Sequence, residues 1–485
     1  MSLREKTLQA VFWVAVIRCS NSAISFLTIL ILARLLAPTN FGLVAIAYLV
    51  INTVRLFSDL GLSKALIYRK DDIQKAADAA FVLIPVMNTV LFALVFLGAP
   101  YIAIFFNDKA VGPLVRVMVS TLVIYSLGTV PTALLEKELE FKKIVLPSTL
   151  SNIGYALVSI LLAFVGLGVW SIALGYVVQS LLQTVLIWVV SPWRPTFKFD
   201  KRTVSEILGY GKYVVSVSLG TFLMVNLDNA FAGKLLGPTA LGHYNLAFQI
   251  GNFYPPLVIT LVREAILPAC SKIQDKHQLL RKVFLETFSG VLMVAIPISI
   301  VMAIFAEDFI RIFYGKAWEG AILPLRILSF YGLIRSVMPI NANIFLVTNK
   351  LKWWNYIAYS ELLLFISLGY PVTTLYGLGG LGLLVTSCIF LGTVARFVAN
   401  GKTLDIGLVQ YLNTLKTPAI AALASACIVL IARILLPFQP SVLTLIVHAA
   451  LFFACYVGLL LGIDNNLRRK VKPASLYELS RLLLE

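Results

Sequence analysis

Apolar residues come in runs of about 20 or more along almost the full length, and short polar stretches separate the runs. A run of that length crosses a bilayer as a helix, and only a helix or a closed barrel satisfies its own backbone there. Read this way, the sequence predicts spans at about 9–35, 42–66, 79–106, 112–135, 145–166, 168–190, 207–232, 241–268, 285–313, 322–347, 353–375, 378–399, 414–436 and 441–463. The expected fold is an all-α polytopic membrane protein of about 14 transmembrane helices. The N-terminal MSLREKTLQA leads into an apolar stretch too long for a signal h-region, so it reads as a retained first span.

The connections alternate in character. Those after even-numbered spans are basic, with Lys142 and Lys143, Arg194 and Lys198, Lys350 and Lys352, and Lys402. Those after odd-numbered spans, such as LAPTNFG (36–42), GLG (166–168) and LPFQP (436–440), are short and nearly uncharged; Lys109, Lys234 and Lys316 are the exceptions. The positive-inside rule then places both termini in the cytoplasm.

Composition agrees. Of 485 residues, 59% are hydrophobic and 13% charged, too few charges for the surface of a soluble fold of this length. The 40 Lys and Arg against 23 Asp and Glu give a net charge of +17, which in a membrane protein is first a matter of topology, and no nucleic-acid partner is expected. The five cysteines and three histidines are scattered without metal-ligand spacing, so no metal site is expected. No hydrophilic stretch could form an appended ATPase, and no GxxxxGK[ST] occurs.

An internal repeat adds organisation. ARLLAPTNFG (33–42) aligns without gaps to GKLLGPTALG (233–242), and FVGLGVW (164–170) echoes LYGLGGL (375–381). Each match occupies the same place in a set of six spans. This predicts an N-lobe over 1–200 and a C-lobe over 201–402, with two further helices and a basic tail over 403–485. Parallel repeats of this kind are a transporter architecture with the substrate site between the halves.

Ionisable groups within a span each cost roughly 2.5–3.5 kcal/mol on insertion scales and call for a reason. Arg18 lies deep in span 1, in a polar stripe with Asn21, Ser22 and Ser25. Span 2 carries Asn52, Arg55 and Asp59, the last two being four apart on one face and placed to pair. Span 7 holds Asn226, Asp228 and Asn229; span 8 holds Asn245, Gln249 and Asn252, then Arg263 and Glu264; Arg335 and Glu361 follow in spans 10 and 11. Lys64, Arg263, Glu264 and Arg396 are near enough to helix ends to snorkel, and Arg311, Arg326 and Arg433 read as interfacial anchors. Arg18, Arg55, Arg263 and Arg335 would make a central cavity cationic, which suits an anionic head group. Arginine is the residue best fitted to phosphate because its planar fork donates two hydrogen bonds at once.

The stretch LARLLAPTNFGLVAIA…FSDLGLSKALIYRKDD (32–72) resembles the opening of bacterial polysaccharide-unit flippases. So do WRPTFKFD (193–200), the segment 211–250, LPACSKIQDK (267–276) and FYGKAWEGAILPLRIL (313–328). These are the Wzx-type O-antigen, capsule and colanic-acid exporters of the multidrug/oligosaccharidyl-lipid/polysaccharide exporter superfamily. The resemblance implies a V-shaped bundle in a bacterial inner membrane. The implied substrate is an oligosaccharide on undecaprenyl pyrophosphate, turned from the cytoplasmic to the periplasmic leaflet by alternating access. It implies arginines of the first, second and eighth helices at the pyrophosphate, which here are Arg18, Arg55 and Arg263. It also implies H+ or Na+ coupling without other cofactors, for which Asp59, Asp228 and Glu361 are the candidates. A monomer working beside a polysaccharide polymerase and glycosyltransferases is expected. A multidrug extruder would favour an acidic or aromatic cavity, and a glycan polymerase or ligase would need a sizeable periplasmic loop, so neither alternative fits as well.

Overall fold

The structure is a computed structural model. It describes residues 3–463 except 60, 70, 197–225, 257, 259–261, 263–269, 271–272, 274–275, 436–438 and 440, and between residues 3 and 19 it describes only the side chains of Trp13 and Ile17. The described secondary structure is helical: α1 (Leu3–Leu35), α2 (Pro38–Ser58), α3 (Leu62–Tyr68), α4 (Ile73–Phe105), α5 (Val111–Lys137), α6 (Phe141–Phe164), α7 (Val169–Val190), α8 (Gly237–Gly251), α9 (His277–Ile304), α10 (Ile322–Val347), α11 (Leu351–Leu404), α12 (Leu408–Leu435) and α13 (Val442–Ile463), with short helical turns between some of them. Ten helical segments among the described residues are long and apolar enough to cross a membrane. One of these, α11, holds two spans. Gly377 at φ +59° reverses the chain inside it, so that Lys350 Nζ donates to Thr403 Oγ1 at 3.0 Å across the hairpin. Glycines also make the turn between α6 and α7, where Gly166 and Gly168 both take positive φ, a conformation that costs other residues steric strain. The echo between 164–170 and 375–381 is thus a shared way of turning between two spans.

Two of the expected spans are broken. Span 2 stops at Ser58 and resumes as α3, because Asp59 turns its carboxylate onto the next helix and accepts from Ser63 N at 3.0 Å and from Ser63 Oγ. Span 8 leaves the helix at Asn252–Tyr254. Pro255 and Pro256 follow, and a proline in a helix interior removes a backbone donor and clashes with the preceding turn. Much of the rest of span 8, including Arg263 and Glu264, and most of span 7 lie outside the described residues.

The chain divides into two compact units, Met1–Gly242 and His243–Glu485. In the first, α5 is the central helix, packed on by α2, α3, α4 and α7, while α1 lies along α6. Small residues permit the close approach: Ala76, Ala77 and Ala80 of α4 meet Leu62 and Leu66 of α3 and Val130 of α5. The two copies of the repeated turn also meet within this unit. The hydroxyls of Thr39 and Thr239 hydrogen-bond at 2.7 Å. A Cβ at Gly42 would run into the carbonyl of Pro238, and a Cβ at Gly242 into the carbonyl of Pro38, so the contact is reciprocal and demands glycine on both sides. Lys234, one of the exceptions among the uncharged turns, donates to the Phe105 carbonyl at 2.5 Å and lies 4.9 Å from that ring's centroid.

In the second unit, α9 is central and packs on α10, α12 and α13. Its core is aromatic. Phe284 and Phe288 of α9 meet Phe397 of α11 and Tyr411 of α12, and Tyr456 of α13 donates to the Met293 carbonyl at 2.9 Å.

Candidate anion site within the membrane helices

In the first unit, polar residues line up along three helices. On α7, Tyr176, Gln179 and Gln183 are spaced by three and four residues and share a face. On α6, Ser148, Ser151, Asn152 and Tyr155 do the same. Asn21 of α1 donates to Ser148 Oγ at 2.7 Å, Asn152 Nδ2 donates to the Asn21 carbonyl at 3.2 Å, and Ser151 Oγ donates to Gln183 Oε1 at 2.8 Å. This seam binds α1, α6 and α7 together by amides and hydroxyls instead of apolar contact alone. Ser22, placed in the same stripe by sequence, is exposed. The Arg18 side chain lies outside the described residues.

Arg55 of α2 reaches one of these helices, α7, and α5 beside it. It is half-buried, and Nη2 donates to the Tyr176 hydroxyl at 2.7 Å. Its guanidinium carbon stands 5.2 Å from the ring centroid of Tyr125 on α5. Tyr48, two turns earlier on α2, meets the Tyr176 ring edge-on at 5.0 Å. The expected pairing with Asp59 is not made, because Asp59 is engaged by Ser63. No carboxylate forms a salt bridge with Arg55 among the described residues. Asn52, nearly one turn before Arg55, is half-buried.

The remaining candidates fall elsewhere. Asp228, in the first unit, is buried and accepts from Asn229 N at 2.8 Å. In the second unit, Gln249 donates to Asn245, and Asn252 Oδ1, at the break after α8, is buried without a hydrogen bond among the described residues. Arg335 of α10 is half-buried and donates to Tyr331 OH at 3.4 Å.

Glu361 is held in a bidentate ion pair: Arg396 Nη1 lies 2.6 Å from Oε1 and Nη2 lies 2.8 Å from Oε2. Arg396 is 1% exposed and stacks 4.4 Å from the Trp354 centroid, so it does not snorkel to an interface. The three arginines read as interfacial anchors are likewise paired, Arg311 and Arg326 with Glu307 and Arg433 with Asp308.

Several functional-looking groups escaped the sequence reading. Gln179, Gln183 and Asn152 could have been found by the helical spacing of amides inside apolar runs. Tyr176 carries no such signal, since tyrosines are common in these helices. Asp78, at the start of α4, is 2% exposed and accepts from Thr196 N at 2.9 Å, which pins the segment after α7 to α4.

Helices of this length and hydropathy, with a polar seam among them, mark a multi-pass membrane protein. The chain belongs to the family described as polysaccharide biosynthesis protein, whose model matches residues 31–323. It is 28% identical over 340 residues to the lipopolysaccharide biosynthesis protein WzxC of Escherichia coli (strain K12), covering 70% of this chain and 69% of that one. It is 22% identical over 310 residues to the succinoglycan biosynthesis transport protein ExoT of Rhizobium meliloti (strain 1021), covering 64% and 63%. Among solved structures it is similar to the lipid II flippase MurJ in an inward closed conformation. That match has a TM-score of 0.73 at 13% identity and covers 93% of this chain and 99% of that one, so the fold is shared. The family resemblance and the all-helical fold read from the sequence therefore both hold.

Proposed function

We propose that this protein is a flippase of the bacterial inner membrane, with both termini cytoplasmic, that turns an undecaprenyl-pyrophosphate-linked oligosaccharide to the periplasmic leaflet for surface polysaccharide synthesis. One observation carries the reading. Arg55 sits within a membrane helix, half-buried, and its side-chain partners are a phenol hydroxyl and an aromatic face. A structural arginine in such a place is normally paired, as Arg396 is with Glu361. An arginine held by neutral groups keeps its charge available to an anion, and the guanidinium fork suits a phosphate oxygen pair.

In this reading Arg18, Arg263 and Arg335 are the further arginines to substitute, and Asn21, Ser22, Asn52, Asn245, Gln249 and Asn252 the polar side chains to substitute with them. Two lobes, over 1–200 and 201–402, rock to expose the site to either leaflet while the polyprenyl tail stays in lipid. Coupling to H+ or Na+ supplies the energy, with Asp59, Asp228 and Glu361 as the acids to substitute first. A polymerase and glycosyltransferases are the expected neighbours in the pathway. A cation extruder is disfavoured by the positive charge.

The test is complementation of a strain lacking the chain. Arg55→Ala should reduce surface polysaccharide by about tenfold or more while the protein accumulates normally, and lipid-linked oligosaccharide should build up on the cytoplasmic leaflet. Arg55→Lys should restore only part of the output, because an ammonium keeps the charge and loses the fork. Full polymer output from Arg55→Ala would overturn the proposal.

A further inference from the structure

The group that holds Arg55 is as informative as the arginine. A long, flexible side chain facing an anion must be fixed in direction, or part of the binding free energy goes into ordering it. A carboxylate would fix it and cancel its charge. Tyr176 fixes it without cancelling the charge: its hydroxyl accepts one N–H from Nη2 at 2.7 Å and carries no charge of its own. The ring bearing that hydroxyl is itself held. Tyr176 is 7% exposed, meets Tyr48 edge-on at 5.0 Å, and has Thr121 of α5 beside its hydroxyl. The guanidinium carbon also stands over the Tyr125 ring, 5.2 Å from its centroid, so a second neutral group of α5 limits where the side chain can swing. Residues of α2, α5 and α7 thus meet at one charged group.

We infer that Tyr176 is the positioning residue for Arg55, holding the guanidinium in the orientation in which its remaining N–H groups receive a diphosphate. This rests on the anion-site reading of Arg55 given above. It goes further by assigning to α7 the residue that sets how tightly the site binds, although α7 itself supplies no charge there.

The experiment measures binding of undecaprenyl pyrophosphate to the full chain purified in dodecyl maltoside, for the wild type, Arg55→Ala, Tyr176→Phe and the double variant. Phenylalanine keeps the ring that packs on Tyr48 and removes only the hydroxyl. Tyr176→Phe should weaken binding about fivefold, the size expected for one ordinary net hydrogen bond, with no change in melting temperature. Arg55→Ala should weaken it by about tenfold or more. The double variant should bind no worse than Arg55→Ala alone, because a positioning residue has nothing left to position. A merely structural role for the hydroxyl would instead add its defect to that of Arg55→Ala, and that result overturns the inference. So does wild-type affinity in Tyr176→Phe when Arg55→Ala is impaired, and the anion-site reading then survives. A wild-type chain that does not bind the probe, or an Arg55→Ala variant that binds it as tightly, overturns the anion-site reading and this inference together.

Discussion

At the scale of single residues, the arginines of the membrane helices separate by the company they keep. Arg396 meets a carboxylate with both Nη atoms, has its guanidinium carbon over an aromatic ring, and is almost fully buried. Such a pair contributes modestly when intact, because both charges were stripped of water, but it is costly to break. Arg396→Leu leaves Glu361 buried and unpaired and should cost about 3–5 kcal/mol, seen as a lower melting temperature and poor accumulation. Glu361→Leu should do the same in reverse. The double Leu variant should recover much of the loss, and its transport then decides whether Glu361 does anything beyond pairing. If the double variant is folded and still transports, Glu361 is not the coupling acid. The partners of Arg55 and Arg396 could not be read from the sequence, because they stand 121 and 35 residues away and only the tertiary packing of helices brings them together. What the sequence did carry was that a charge lies within an apolar run. The nearest opposite charge, Asp59, was a misleading guide, since its local duty is to Ser63.

At the scale of elements, hydropathy outlines the spans and is blind to their interruptions. The run from Gly42 to Leu66 stays mostly apolar on both sides of Asp59, and the run from Leu241 on both sides of Asn252, so each read as one helix. What breaks them is a carboxylate finding backbone and hydroxyl donors in one case, and a non-helical turn followed by two prolines in the other. The repeated turn was better served, because its proline, threonine and glycine are few enough in type to be recognised at an offset of 200 residues. The structure adds that the two copies touch, and this gives the glycines a testable duty. Gly42→Ala forces a methyl onto the Pro238 carbonyl, where backbone rather than a yielding side chain stands in the way. It should destabilise the protein by about 1–3 kcal/mol. Gly98→Ala, in α4 with nothing within 4 Å of the added methyl, should instead be neutral or stabilise by up to about 1 kcal/mol. Thermal unfolding of the two variants side by side checks the pair; equal melting temperatures would mean that the turn contact is not maintained in the membrane.

At the scale of the molecule, the excess positive charge has to be divided between topology and function. Connections after even-numbered spans and the two terminal segments together carry a little over half of it, and a topology follows that a reporter can read. A fusion at Lys402, in the last turn of the second arm of the α11 hairpin, should report the cytoplasm, and one at Leu167, in the turn between α6 and α7, should report the periplasm. The two positions test different things. Leu167 lies in a turn with no charge, so its side is fixed only by the basic segments flanking it, Lys142 and Lys143 before and Arg194 after. Lys402 lies at the end of a hairpin whose reversal at Gly377 is built of glycine and apolar residues. If charge decides orientation, replacing Lys142 and Lys143 by glutamine should increase the fraction of Leu167 reporters on the wrong side and leave the Lys402 reporter in place, because later spans have their own basic segments at Lys350 and Lys352. A Lys402 reporter that moved together with Leu167 would show that the helices insert as one coupled set. The basic connections would then be less the cause of the topology than its accompaniment, and more of the positive charge would be left for the substrate to explain.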